Sequence, residues 1–382
     1  MTTRVVVSGL AGQMPLAGVA LHYLQYCLGF RDLGIEVLYL EDGHCWPYHP
    51  RTQNYEEDAT YTVEWLEDLF GAFGLRWAFQ DGSGRYHGST EDEVLDHLDG
   101  ADLLLNVSGG IMPEAHHHRA KRLALIDTDP AVSQVAALQG SPRHQQLQAT
   151  HDLYFTFAER MHADACRIPD AGKEWITTRQ PVHLPLWEPE PERSDRPGAV
   201  YTTVMNWSAH GGYEWQGEPW GDKAAEFGCI RDLPRRTGLW FELAVAGGAP
   251  TEELRAEGWE VIDPRPPTRT VWTFREYLRA SRGEVGVCKQ AYVRSHSGWF
   301  SERSANYLAA GRPVVTQDTG WSHLLPTGKG LFAFDRSEDA EAALQAIEAD
   351  PAAHGRAARR LAAEHFDARD VLTRLLSDAG VT

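Results

Sequence analysis

The sequence predicts an α/β protein made of two doubly wound, Rossmann-like domains facing a central cleft. Three observations carry that expectation. Short apolar runs alternate with helical patterns in both halves, which implies βαβ units and mainly parallel sheets. A length of 382 residues fits two domains of ordinary size. Between the halves, residues 187–198 are rich in proline and charge, the composition of a linker.

In chain order, the first strand is expected over 5–8, followed by a loop carrying Gly9, Gly12 and Gly18. A helix over 19–30 follows, with Leu21, Leu24 and Leu28 at helical spacing. The next strand, 35–40, ends in Glu41-Asp42-Gly43. Residues 62–73 read as an amphipathic helix and 91–98 as a short acidic one. Further strands fall at 101–107, 123–126 and 153–157; the first ends in Ser108-Gly109-Gly110 and the second in Asp127-Thr128-Asp129-Pro130. The second half gives six strands, at 199–205, 239–246, 258–262, 283–288, 313–316 and 330–334. Helical patterns cover 340–349, 351–364 and 367–379. The expected domains are 1–190 and 199–364, with 365–382 a terminal helix that crosses back to the first.

Composition narrows the function. Hydrophobic residues at 42% and charged residues at 24% suit a soluble globular protein, and no apolar run is long enough to span a membrane. The N-terminus enters a strand-like run without a signal-peptide pattern, so a cytoplasmic location is expected. Five scattered cysteines argue against a disulfide framework or a zinc ribbon. A net charge of -18 disfavours nucleic acid and anionic membranes. A local basic pocket can still hold a phosphorylated small molecule.

The loop from Gly9 to Gly18 is not the dinucleotide fingerprint, and Gly12 is read as lining the cleft. Ser108, Gly109 and Gly110 are placed beside it, at the carboxyl edge where such sheets bind ligands. Asp127 or Asp129 there would serve as general base on an acceptor hydroxyl, although Asp129-Pro130 also reads as a helix cap. His116, His117 and His118 would splay about 100° apart on a helix, so no chelating face and no metal is expected. Lys223, Lys289 and Arg303 come from separate elements that end at one sheet edge, an arrangement suited to a diphosphate. Ser297 and Gly298 lead into the helix that carries Arg303. Glu302 and Asn306, four apart on that helix, share a face that could hold ribose hydroxyls. Asp318, Thr319 and Gly320 close the next strand as candidate sugar ligands, with Asp318 equally readable as a turn former.

These C-terminal motifs resemble the nucleotide-sugar glycosyltransferases of the two-domain B-type fold with a glycogen-synthase-like C-terminal domain. The resemblance lies in 300–306, Ala309-Ala310-Gly311, Pro313-Val314-Val315 and Asp318-Thr319-Gly320. Lys223 falls near that family's donor-phosphate lysine. The family's pair of glutamates would fall on Gly298 and Asn306, leaving Glu302 to replace the ribose-binding acid. The resemblance implies metal-independent transfer of a sugar from a nucleoside-diphosphate sugar to a small-molecule acceptor, as in bacterial natural-product or glycan biosynthesis. Lys289 would act on the departing diphosphate, and no cofactor beyond the nucleotide-sugar co-substrate is expected. A sugar-nucleotide epimerase on the same fold, or a nucleotide-sugar-binding protein without chemistry, are the alternatives.

Overall fold

A computed structural model describes residues 2–188, 199–208 and 212–381. All but the first two residues of the proline-rich stretch 187–198 lie outside the described residues. The chain divides into two compact units. One comprises Met1–Phe157, Pro169–His183 and Asp367–Thr382, the other Ala158–Ile168 and Leu184–Phe366.

The main sheet of the first unit has eight strands: β1 (Arg4–Ser8), β2 (Glu36–Cys45), β3 (Arg76–Asp81), β4 (Tyr86–Gly88), β5 (Leu103–Val107), β6 (Leu123–Asp127), β7 (Leu153–Thr156) and β8 (Trp175–Thr177). They lie in the order β8-β7-β6-β5-β1-β2-β3-β4, and every pairing is parallel except that of β4 with β3. Val5, Val6 and Val7 of β1 are fully buried because helices cover both faces of a parallel sheet. The strand order reverses beside β1, so the loops after β1 and β5 flank the switch point. Strands β3, β4 and β8 were not expected. In β3, Trp77 and Phe79 are buried, but so are Gln80 and Asp81, and these polar residues hide the apolar run.

Helix Ala17–Asp32 buries almost its whole circumference, including Tyr26 and Gln25. Gly29 on this helix admits the terminal helix Ala368–Asp378, since a Cβ there would lie 2.9 Å from the Ala368 methyl. An isolated parallel bridge between Val182 and Asp367 leads the chain into that helix.

The second unit holds six parallel strands: β9 (Tyr201–Asn206), β10 (Phe241–Ala246), β11 (Trp259–Ile262), β12 (Gly283–Gly286), β13 (Val314–Gln317) and β14 (Leu331–Phe334). Their order is β11-β10-β9-β12-β13-β14, with the reversal between β9 and β12. Tyr201, Phe241, Leu243, Trp259, Val285 and Val315 form the centre of its core. Helix Glu302–Ala309 stops at Ala310, and Gly311, with φ 70°, turns the chain into β13. No described helix is long and apolar enough to cross a membrane.

Candidate functional site

In the second unit the charged residues gather at the carboxyl ends of β9 and β12. Lys223 opens a short 3-10 turn, Lys223–Ala225. The Ala224 N–H donates to Trp207 O (3.1 Å), which pulls this turn back to the end of β9. The Ala291 N–H donates to Gly221 O (3.2 Å), tying the same segment to helix Gln290–Ser295, which Lys289 precedes. Lys223 therefore sits among Arg303, Cys288, Lys289 and Glu302. Burial, then the positive charge of Arg303, pushes its ammonium down to about 8; Lys289 adds to the effect, while Cys288 and Glu302 oppose it. Its ammonium makes no hydrogen bond or ion pair with a described residue. Lys289 is partly buried, with its ammonium 5.4 Å from the Tyr292 ring centre.

Arg303 is placed differently. Its Nε donates to Glu284 Oε1 (2.5 Å) and its Nη1 to Val204 O (2.6 Å). Glu284 is fully buried in β12, so most of this cation's charge is balanced within the protein. Gly286 gives it passage, since a Cβ there would lie 3.1 Å from Arg303 Nη2.

Several other expected donor ligands are engaged in holding loops. Ser297 is buried, with its Oγ accepting the Trp299 N–H (3.2 Å). The Gly298 N–H donates to Thr319 O (2.9 Å). Thr319 is buried and donates its hydroxyl to Trp299 O (2.6 Å). Asp318 accepts the Gly320 N–H (2.8 Å) and the Ser322 hydroxyl (2.5 Å), the pattern of a turn-forming aspartate. Asn306 is buried, whereas Glu302 is partly exposed in the first turn of its helix. Ser301 precedes this helix without making a side-chain cap, so the first N–H groups keep their donors.

In the first unit the glycine loop is already filled by a carboxyl group of the protein. Glu41 Oε1 accepts the Gly12 N–H (2.6 Å) and Oε2 the Gln13 N–H (2.8 Å). The Tyr39 hydroxyl also donates to Glu41 and itself accepts the Ala11 N–H (2.8 Å). Burial raises this carboxyl to about 7, against the pull of those donors. Gly110 packs on the backbone of Gly9, leaving no space for a side chain. Ser108, with φ 62°, pairs its hydroxyl with Thr128 (2.8 Å), and Gly109 O accepts from Arg143 (2.6 Å).

Asp127 accepts from Ser133 (2.7 Å) and Gln134 (2.6 Å), and burial raises its carboxyl to about 6. Asp129 is partly exposed but is not the helix cap; the helix starts at Val132 behind Ala131, whose φ is 76°.

The histidine run departs from expectation. His116 and His117 do not splay, because His116 lies just before the 3-10 turn His117–Arg119 and the two are not successive positions of one helix. Their rings lie 3.9 Å apart, and both reach the buried Asp42, with Nε2 distances of 2.7 Å and 2.8 Å. Burial opposes ionisation of Asp42, but the two histidines hold it at about 2. The three ligand atoms lie within 4.8 Å of one another. The polarity is nonetheless that of a hydrogen-bonded triad. The Glu114 N–H donates to His117 Nδ1 (2.9 Å), so the ring proton sits on Nε2 and goes to Asp42, whereas a metal ligand needs a lone pair there.

Sequence reasoning missed Glu41 as the occupant of the glycine loop, Asp42 as the anchor of the histidines, and Arg160. Arg160 belongs to the second unit and lies across Gly298 and Gly320. Both glycines have positive φ, 75° and 96°, and neither carries a side chain where Arg160 passes.

No protein-family model and no curated protein sequence matches the chain. Solved structures do match it. Anabaena HepE in complex with UDP and glucose aligns with a TM-score of 0.60 at 13% identity, over 98% of this chain and 100% of that one. AviGT4, a glycosyltransferase involved in avilamycin A biosynthesis, aligns at 0.56 and 13%, over 99% and 97%. Sucrose-phosphate synthase from Thermosynechococcus elongatus aligns at 0.55 and 13%, over 99% and 100%. The chain has the fold of these proteins along its whole length: two Rossmann-like domains of the B-type glycosyltransferase fold.

Proposed function

We propose that this protein is a glycosyltransferase whose second unit binds a nucleoside-diphosphate sugar and whose first unit takes a small-molecule acceptor. One observation carries the reading. Lys223 is a partly buried ammonium pushed down to about 8 by burial and cationic neighbours, and no described residue accepts from it. A chain of net charge -18 has carboxylates to spare, so local positive charge left unbalanced points to an anionic ligand. A diphosphate supplies that anion, and the uncapped start of helix Glu302–Ala309 offers it N–H donors. Anabaena HepE, which has this fold, binds UDP and glucose, and that supports a nucleoside-diphosphate donor here.

In this reading Lys223 and Lys289 neutralise the diphosphate as its bond to the sugar breaks. Preorganised cations act where charge develops in the transition state, so they lower the barrier as well as bind. Glu302, partly exposed, would hold ribose hydroxyls. Asp129, more exposed than Asp127 at the end of β6, would meet the acceptor hydroxyl. The protein cations stand where a metal would otherwise neutralise the diphosphate, and the setting would be bacterial natural-product or glycan biosynthesis within the cytoplasm.

Calorimetric titration with UDP, GDP and dTDP tests the reading. At least one should bind, and Lys223→Ala should weaken it about a hundredfold, the cost of removing one charged hydrogen-bonding partner (~3 kcal/mol). No binding by any of the three would overturn it.

A further inference from the structure

We propose that Arg160 is a donor-binding residue of the second unit and grips an anionic oxygen of the nucleoside-diphosphate sugar; this rests on reading that unit as the donor domain. The segment Ala158–Ile168 is counted with the second unit although it follows the strands of the first in sequence. Two backbone hydrogen bonds pin it to the loop that leads into helix Glu302–Ala309. The Arg160 N–H donates to Ser297 O (3.0 Å), and the Arg167 N–H donates to Ser295 O (2.8 Å).

From there the Arg160 side chain runs over two glycines. A Cβ on Gly298 would lie 2.7 Å from Arg160 Cγ, and one on Gly320 would lie 2.6 Å from Arg160 Nη1. The missing side chains make a trough that the arginine fills. The trough joins the loop before helix Glu302–Ala309 to the loop after β13, both at the carboxyl edge where Lys223 and Glu302 meet.

The guanidinium has no anion of its own. It is partly buried and makes no hydrogen bond or ion pair with a described residue. Asp318, the carboxylate closest in sequence to Gly320, is held by the turn it forms. A guanidinium carries five donors and does not lose its proton, so withdrawing it from water is unfavourable until an acceptor arrives. Its planar fork matches a phosphate or a carboxylate. A nucleoside-diphosphate sugar can present either: an oxygen of the diphosphate, or a carboxylate on a uronic sugar.

The test compares wild type, Arg160→Met and Lys223→Ala by calorimetry. The ligands are whichever of UDP, GDP and dTDP binds, its hexose and hexuronate conjugates, and the parent nucleoside. Arg160→Met should weaken the anionic ligands at least tenfold while the nucleoside binds as before. Equal losses for diphosphate, hexose and hexuronate conjugates place the arginine on the diphosphate. A loss confined to the hexuronate places it on a sugar carboxylate. Wild-type affinity for all ligands in Arg160→Met, with Lys223→Ala impaired, overturns the inference but not the donor reading. An equal loss for the nucleoside also overturns it, because that marks a purely structural role. Failure of every nucleoside diphosphate to bind wild type sinks the donor reading itself. Should Arg160→Met not fold, Arg160→Gln is read by the same outcomes.

Discussion

Two glycine-rich edges of this molecule look alike in sequence and differ in charge balance. In the first unit the loop after β1 turns its N–H groups onto Glu41, an acceptor supplied by the protein. In the second unit the loops around Gly298 and Gly320 run beside Arg160, a cation to which the described protein supplies no hydrogen-bonding anion, as it supplies none to Lys223. Glycine marks where a backbone or side chain comes close. It does not say whether the neighbour is the protein or a ligand. The unpaired charge separates the two: the first loop meets its acceptor within the protein, and the second is where the proposed donor site looks for its ligand.

The largest expected effect tests the architectural half. Glu41→Ala leaves two loop N–H groups and the Tyr39 hydroxyl without their acceptor inside a packed unit. Leaving these buried donors without an acceptor should cost about 2–3 kcal/mol, read as a lower midpoint in urea denaturation. Lys223→Ala should leave that midpoint unchanged or raised, because it removes a charge held away from water. If Glu41→Ala is as stable as wild type, the loop does not depend on its internal acceptor and the contrast fails.

The next effect is a pH response of opposite sign in the two regions. Lys223 lies at about 8 in the folded protein, below its usual value of about 10.4. Above about 8 the ammonium is lost, so nucleoside-diphosphate affinity should fall by as much as about tenfold per pH unit. The folded state also holds that proton less tightly than the unfolded chain, so this group's contribution to stability rises between about 8 and about 10.4. Glu41 is raised to about 7 from an ordinary value of about 4.3. Its contribution is fully present below about 4.3 and is lost as pH rises through about 7. Calorimetry and thermal melts across pH 4–10 separate the two. An affinity that is flat from pH 7 to 10 would remove Lys223 from the donor site.

Much of the fold was legible because buried parallel strands read as apolar runs; all six strands of the second unit follow that pattern. Three strands of the first unit were not. Gln80 and Asp81 break the apolar run of β3, and β4 and β8 have only three residues each. The cationic cluster was partly legible, since Lys223, Lys289 and Arg303 each follow a strand end. The neutralisation of Arg303 was not. Its partner Glu284 lies in the interior of the sheet, and nothing in sequence announces a glutamate there. Asp-Thr-Gly at 318–320 reads equally as a turn or a sugar ligand, and the hydrogen bonds give it to the turn. Arg160 was invisible because its segment follows the strands of one unit and packs in the other. His116 and His117 do not follow the expected helical geometry: His116 precedes the 3-10 turn His117–Arg119, so the two are not successive positions of one helix and their rings can converge.

The smallest effects sharpen the comparison at the glycines themselves. In Gly12→Ala the new methyl would meet Leu66 Cδ1 and Phe79 Cδ2, both at 2.9 Å. These are side-chain tips that can yield, so the cost should be roughly 1 kcal/mol, the low end for overpacking. Nothing about that change reaches a cation, and nucleoside-diphosphate affinity should stay within about twofold of wild type. In Gly320→Ala the backbone must hold an alanine at φ 96°, and the methyl would lie 2.6 Å from Arg160 Nη1. The strain is worth about 1–2 kcal/mol, similar to the first change. Here, however, the guanidinium has to leave its trough. Two alanines of comparable cost to stability should therefore differ in binding, with only Gly320→Ala weakening the diphosphate. Matched melting curves and calorimetry on the pair read this directly. If both variants bind alike, the glycines of the second unit are as architectural as those of the first, and charge balance alone does not tell a binding loop from a packing loop in this fold.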